Sequence, residues 1–503
     1  MPEKQLNIYY TSDLHAFIYP TNYRGSGECD IGLFKCANQF HKDGNTLIID
    51  GGDILQGSPF GAFCHDSCRD ASAIAEIMNH CGYDYVTLGN HDFNFGLTYL
   101  ASYLDALDGR CVCENVRQDG KPLFPSRIHT LENGLRIGIV GIVTDYVNVW
   151  ERPEHLQGIE ITDPLDAAGS ALEKLKEQVD LTICVYHGGF ERDLKTGKLL
   201  SKSRENIAYQ LCRDLDFDIL LTGHQHMSVP GQELFGTFVV QPADCGKEFI
   251  RIQAAVDGQR KRFSSASIPA AGKCREALLH EFSDMECGAQ DWLDVIVGYL
   301  NRALEPADPL TMAVEGNALA DFFNLVQLSS TGAQISASSL ANEAARLPRI
   351  VHRRDVLTAY PYTNTVTVLK VSGAVLRKAI ERSAEYFDRN QAGQVCISDR
   401  FLKPKVEHYN YDYYCGIEYE IDVSRPTGNR VTRLLYQGSP VEDSNEFSLC
   451  LNSYRASGAG GYDFYTDCPV ISEGGIEMAD LILEYFHTHP DTVIHPQKNF
   501  SVH

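Results

Sequence analysis

Seven side chains able to bind a divalent ion, Asp13, His15, Asp53, Asn90, His187, His224 and His226, each stand just past an apolar, strand-like run. The arrangement recurs five times. Residues 6–12 (LNIYYTS) stop at Asp13-Leu14-His15, and 46–49 (TLII) run into Asp50-Gly51-Gly52-Asp53. Residues 83–88 (YDYVTL) lead to Gly89-Asn90-His91-Asp92, 181–186 (LTICVY) to His187-Gly188-Gly189, and 217–222 (FDILLT) to Gly223-His224-Gln225-His226. Alternation along an extended chain puts Asp13 and His15 on one side, and paired glycines beside Asp53 permit a tight turn and a close approach of backbone to a ligand. Imidazoles with carboxylates and an amide oxygen make a mixed N/O set suited to Mn²⁺, Zn²⁺ or Fe²⁺. It has too few carboxylates for a Ca²⁺ cage and no thiolates for a structural zinc. Seven donors are too many for one ion, whereas two ions about 3.5–4 Å apart that share a carboxylate accommodate them and can clamp an in-line displacement at phosphorus.

Strands that end in ligands must be held level with one another, and the intervening sequence supplies the means. Ile74, Ile77, Met78 and Cys81 have helical spacing, with Gly82 placed as a C-terminal cap. Residues 135–143 (LRIGIVGIV) read as a buried strand. Asp163-Pro164 then opens a helix, Asp as N-cap and Pro at the first helical position, with Leu165, Ala168, Leu172, Leu175 and Val179 on one face. A further helix is expected over 204–215. Strands alternating with helices predict an α/β fold, in which ligands gather beyond the carboxyl ends of the strands.

At 503 residues with 44% apolar side chains, the chain is too long for one core and rich enough for two. Its 44 Lys+Arg against 67 Asp+Glu give a net charge of −23, which argues against nucleic acid or an anionic membrane as partner. An anionic substrate would then depend on bound metal for its positive charge. The amino terminus has no basic or apolar leader segment, and no run of 18 apolar residues occurs, so a cytoplasmic protein is expected. The 16 dispersed cysteines then read as reduced core thiols, and neither Cys64-x3-Cys68 nor Cys111-x-Cys113 has the second pair that a zinc site needs.

The series Asp-x-His, Gly-Asp, Gly-Asn-His, His-Gly-Gly and Gly-His-x-His resembles the calcineurin-like metallophosphoesterases, and the C-terminal half narrows the likeness to the 5′-nucleotidase family. The resemblance implies an N-terminal dimetal domain over 1–315, an interdomain helix over 316–331 and a nucleotide-binding α/β domain over 332–503. It places one ion on Asp13, His15, Asp53 and His226 and the other on Asp53, Asn90, His187 and His224, with Asp53 bridging and His91 in the catalytic role. Residues 317–330 (NALADFFNLVQLSS) and 335–340 (ISASSL) resemble the family's linking helix and the strand after it. Residues 359–373 (AYPYTNTVTVLKVSG), which include Asn364, resemble its phosphate-side segment, although alone they would form a plain β-hairpin.

Two departures from the family pattern are visible. Ala16 stands where a glycine usually follows the first histidine, and Asn94 stands where 5′-nucleotidases carry an Asp that orients the catalytic histidine. Asn-His-x-Phe-Asn resembles instead the branch of 2′,3′-cyclic-nucleotide 2′-phosphodiesterases that are also 3′-nucleotidases. Tyr409-Asn410-Tyr411-Asp412 and Asn452-Ser453-Tyr454-Arg455-Ala456 resemble that branch's nucleoside-binding segments, with Tyr409 and Tyr454 as a base clamp and Arg455 beside it. The acid that closes the second segment in 5′-nucleotidases is missing from Ala459-Gly460-Gly461. The expected activity is therefore hydrolysis of nucleotide phosphoesters by an activated water, with Asn94 assisting His91. A 5′-nucleotidase or nucleotide-sugar hydrolase, and a non-catalytic nucleotide-binding protein, are the alternatives.

Overall fold

The computed structural model describes residues 3–25, 27–200, 204–258, 260–362, 364–403, 406–495 and 498–503. The chain forms two compact units, Met1–Gln290 and Asp291–His503. The division thus falls earlier than the expected position near residue 315. The strand Ile296–Leu300 accounts for the difference, because it pairs with Ile350–His352 and Asp491–Thr492, both well inside the second unit.

In the first unit two six-stranded sheets lie face to face. One runs in the order Arg260–Pro269, Glu248–Asp257, Lys4–Thr11, Thr46–Asp50, Tyr85–Val86, Arg110–Cys111. The other runs Val229–Leu234, Thr237–Gln241, Ile219–Thr222, Leu181–His187, Arg136–Val143, Arg127–Thr130. Leu6, Ile8, Ile49, Ile139, Ile183, Val185, Leu221 and Ile252 fill the space between them. The helices Pro164–Leu175 and Ala208–Asp214 cover the outer face of the second sheet through Ala168, Leu172 and Leu211. The ligand-bearing strands are parallel neighbours whose ends are level: Thr11 is opposite Asp50 in one sheet, and Tyr186 is opposite Thr222 in the other.

Local signals set most boundaries. Gly82 caps Ser72–Cys81 in the left-handed conformation at φ 83°, and Asp163 accepts from the N–H groups of Leu165 and Asp166. Some ends move for tertiary reasons. The helix expected over 204–215 begins only at Ala208, because Asn206 Oδ1 accepts from Gly189 N–H at 2.6 Å and Glu205 is drawn toward His224. Val179 lies past the end of its expected helix in extended backbone.

In the second unit a five-stranded sheet runs in the order Asp412–Cys415, Ile335–Ser339, Glu446–Asn452, Thr365–Ser372, Val470–Glu477. The helix Ala318–Thr331, read from sequence as a link between domains, belongs to this unit. Its Asn324 donates to Tyr413 O at 3.0 Å and accepts from Ser336 Oγ at 2.8 Å, both on strands of the sheet. Residues 359–373 do not make a hairpin: Thr365–Ser372 is a single strand between two others, and Gly373 opens a helix capped by Ser372. Among the described residues no helix is long and apolar enough to cross a membrane, and all sixteen cysteines are free thiols.

Candidate dimetal centre and nucleoside segments

Six of the seven proposed ligands meet in two adjoining triads, Asp13–His15–His226 and Asp53–His187–His224, in each of which the donor atoms lie within 4.8 Å of one another. The backbone conforms to this purpose at a cost. Asp13, His15, Asp53, His224 and His226 all adopt positive φ, between 49° and 71°, which costs an L-residue about 1–2 kcal/mol. Glycine makes the close approach possible at two points. A Cβ on Gly52 would lie 2.3 Å from Gly89 N, and one on Gly89 would lie 2.5 Å from Asp53 N. The loop bearing Asn90 and His91 can therefore press against the loop bearing Asp53.

Asp92, adjacent to His91, locks that contact. It is buried and accepts from the N–H groups of Asp53, Ile54, Leu55 and Gly89 at 2.8–3.0 Å. Burial and the neighbouring Asp53 push its carboxyl up to about 6 against these hydrogen bonds. Sequence reasoning missed this role, since a lone Asp after a histidine looks like an ordinary turn residue. Of the two acids in Asp50-Gly51-Gly52-Asp53, Asp50 turns inward to Thr11 Oγ1 (2.6 Å) and Gly52 N–H (3.0 Å), and burial raises its carboxyl to about 8. Asp53 faces the centre.

The donor set fits a pair of cations. His187 Nδ1 donates to Gly51 O at 2.7 Å, so in the neutral ring its Nε2 carries the lone pair, 3.1 Å from Asp53 Oδ2. His15 Nδ1 likewise donates to Gln56 O at 2.8 Å, and its Nε2 lies 2.9 Å from His226 Nε2. Each of these close pairs needs either a shared proton or a cation between its two atoms, and a bound ion can take the place of that proton. Among the described residues, Asp53 Oδ2, Asn90 Oδ1 and His187 Nε2 are also buried without a hydrogen-bond partner, as expected of groups meant for an ion. Burial alone would raise the Asp53 carboxyl, but the positive charge of the His187 and His91 rings in their protonated forms outweighs it and holds the group well below the usual range, as the charge of a bound ion would.

Residues outside the strand ends orient the ligands. Glu205 accepts from His224 Nε2 at 2.9 Å, leaving Nδ1 for an ion, and that hydrogen bond holds the Glu205 carboxyl below its ordinary value. The exposed Trp150 stacks on the same imidazole, with ring centroids 5.5 Å apart. His91 is no part of either triad. Its N–H donates to Asp53 Oδ1 at 2.7 Å, and its Nδ1 lies 2.7 Å from Asn94 Oδ1.

In the second unit Tyr409 and Tyr454 come together with ring centroids 6.4 Å apart, but at an interplanar angle of 69° rather than as parallel walls. Tyr454 is 39% exposed. Asn364 lies nearby, two residues before Val366, which is opposite Asn452, the cap of the Ser453–Ala456 turn. Arg455 takes a different place from the substrate contact expected of it. It is buried, and its five N–H donors go to Asp412, Asn410 Oδ1, Ala459 O and Tyr409 O. It ties the two tyrosine segments together from beneath and has no donor left for a ligand. Arg455→Leu should leave Asp412 as an unpaired buried charge and destabilise this unit by about 3–5 kcal/mol. An earlier thermal transition would show it, and unchanged melting would mean that the pair carries no load.

Two adjoining ion sites on the joined ends of an α/β sandwich define a dinuclear metallophosphoesterase. Comparison with known proteins agrees. The family model for calcineurin-like phosphoesterases matches residues 6–228, and that for the 5′-nucleotidase C-terminal domain matches residues 298–467. A candidate 5′-nucleotidase of Staphylococcus aureus, solved in complex with α-ketoglutarate, superposes with a TM-score of 0.82 at 31% identity, covering 99% of this chain and 100% of that one. The trifunctional nucleotide phosphoesterase protein YfkN of Bacillus subtilis is 26% identical over 96% of this chain, which spans only 38% of that protein's length. The 2′,3′-cyclic-nucleotide 2′-phosphodiesterase/3′-nucleotidase of Yersinia enterocolitica is 24% identical, over 90% of this chain and 80% of its own. The chain belongs to the 5′-nucleotidase family of calcineurin-like phosphoesterases and is a phosphoester hydrolase.

Proposed function

We propose that the chain hydrolyses 2′,3′-cyclic nucleotides to 3′-nucleotides and then releases phosphate and nucleoside. The observation that carries this reading is the partner of His91. Asn94, a neutral amide, occupies the position that orients the ring, as in the branch that the sequence resembles. Relatives bearing that double activity in their names support it. Two ions, Mn²⁺, Zn²⁺ or Fe²⁺, would supply charge neutralisation at the phosphoryl oxygens and a more acidic water. The protein's own groups do the rest. Asp13, Asp53 and the four triad histidines fix where the phosphoryl group sits. His91, with Nδ1–H given to Asn94, leaves Nε2 for the substrate side, where in the protonated ring Nε2–H can hydrogen-bond a phosphoryl oxygen or pass its proton to the leaving oxygen. In the first cycle water adds to phosphorus and the P–O2′ bond breaks. In the second the P–O3′ bond breaks.

A 5′-nucleotidase is the second reading, favoured by the full-length likeness to the Staphylococcus aureus protein. Phosphate release from a panel of 2′,3′-cyclic, 3′- and 5′-nucleotides with added Mn²⁺ separates the two. Preference for 5′-nucleotides would overturn the first.

The clamp has its own test. Stacking on an aromatic ring contributes about 1–3 kcal/mol per base, so Tyr454→Ala should raise KM for nucleotides about tenfold or more. A nitrophenyl phosphodiester, which has no base, should be much less affected. Equal losses on both substrates would remove Tyr454 from the base site.

A further inference from the structure

Glu151 follows the short helix Val147–Trp150 and lies far in sequence from every strand end that carries a ligand. Its side chain is 5% exposed and held at both oxygens. Oε1 accepts from Arg152 N–H and from His155 Nδ1, each at 2.8 Å, and Oε2 accepts from Asn94 Nδ2 at 2.7 Å. Asn94 Oδ1 then faces His91 Nδ1 at 2.7 Å. The consequence lies in what each group is able to do. A carboxamide can offer either its oxygen or its NH₂ to an imidazole, whereas a carboxylate only accepts. With Glu151 beside it, Asn94 must aim Nδ2 at the carboxylate and Oδ1 at His91. The ring must then carry its proton on Nδ1, and Nε2 is left for the substrate.

We propose that Glu151 is a positioning residue that fixes the orientation and tautomer of His91 through Asn94. As a statement about turnover this rests on the catalytic role assigned to His91 above; as a statement about the ring it stands alone. The same short segment also places Trp150 against the ligand His224. One stretch of chain thus trims both the ligand and the proton-handling side of the centre.

Glu151→Gln tests it. Arg152 N–H and His155 fix the oxygen of the new amide at the Oε1 position, so its NH₂ faces Asn94, which must flip and present Nδ2 to His91. We expect kcat for a nitrophenyl phosphodiester to fall about 10–100-fold, with KM changed by less than about twofold and two ions per chain retained. Asn94→Asp alone, which sets two carboxylates face to face, should also lose activity. The Asn94→Asp/Glu151→Gln double variant restores a compatible chain of donors and acceptors and should recover about tenfold or more over Glu151→Gln. That rescue separates a positioning role from a damaged fold. Histidine-selective ¹⁵N spectra give a readout independent of turnover: the His91 signal, identified by its loss in His91→Asn, should change from the Nδ1–H to the Nε2–H form in Glu151→Gln. An unchanged tautomer, or single-variant losses that simply multiply without rescue, would overturn the inference. Normal turnover by His91→Asn would instead overturn the catalytic reading, and the ¹⁵N result would still decide the role of Glu151.

Discussion

Asp53→Asn is expected to lower kcat by roughly three orders of magnitude or more and to reduce metal content in the same variant, with the first unit still folded. Asp53 Oδ1 is committed to His91 N–H at 2.7 Å, so Oδ2 is the atom available to the centre. That oxygen lies 3.1 Å from His187 Nε2 and 4.0 Å from His15 Nε2, and so reaches a nitrogen of each triad. An amide in its place brings less charge, or turns an NH₂ toward the ions. Metal analysis of the purified variant beside its turnover of a nitrophenyl phosphodiester is the measurement. Two ions per chain with near-normal kcat would show that Asp53 does not join the sites.

His91→Asn is expected to behave differently, losing about 10²–10⁴ in kcat while keeping both ions. The ring lies beside the centre, its centroid 5.2 Å from that of His15, yet its Nδ1 is taken by Asn94 and it belongs to neither triad. Its removal deprives the reacting phosphoryl group of the donor that the protonated ring supplies and leaves the ligand geometry alone. Should metal content fall in step with activity, His91 would be a ligand and the division of the site would have to be redrawn.

The strand ends were legible because apolar runs and the polar residues that stop them are properties of neighbours in sequence. Asp13, His15, Asp53, His187, His224 and His226 could be picked out together on that ground, and parallel pairing in register brings them level. What the sequence hid were the groups that act from other loops. Glu151 follows a single helical turn and Glu205 stands before the helix that starts at Ala208, and only the fold reveals that they hold Asn94 and His224. Arg455 shows the opposite failure. A cation next to an exposed tyrosine reads as a substrate contact, but its burial against Asp412, distant in sequence, makes it a strut. The domain boundary was misplaced for a related reason, since the pairing of Ile296–Leu300 with chain near the C-terminus leaves no local mark.

The provenance of the ligands bears on how the molecule comes apart. Asp13 and Asp53 follow strands of one sheet, and His187, His224 and His226 follow strands of the other. Ions held among them would act as removable cross-links between two layers otherwise joined by apolar contact and a few hydrogen bonds, such as those of His187 to Gly51 and Tyr10 to Thr222. An ion at 100 times its dissociation constant adds about 2.7 kcal/mol to the state that binds it. That gain is lost as soon as the sheets part, whichever one frays first. Chelation should therefore shift amide exchange at the ends of both sheets together, turning one cooperative unit into two that open separately, and metal supply would govern the lifetime of this protein in the cell as well as its rate.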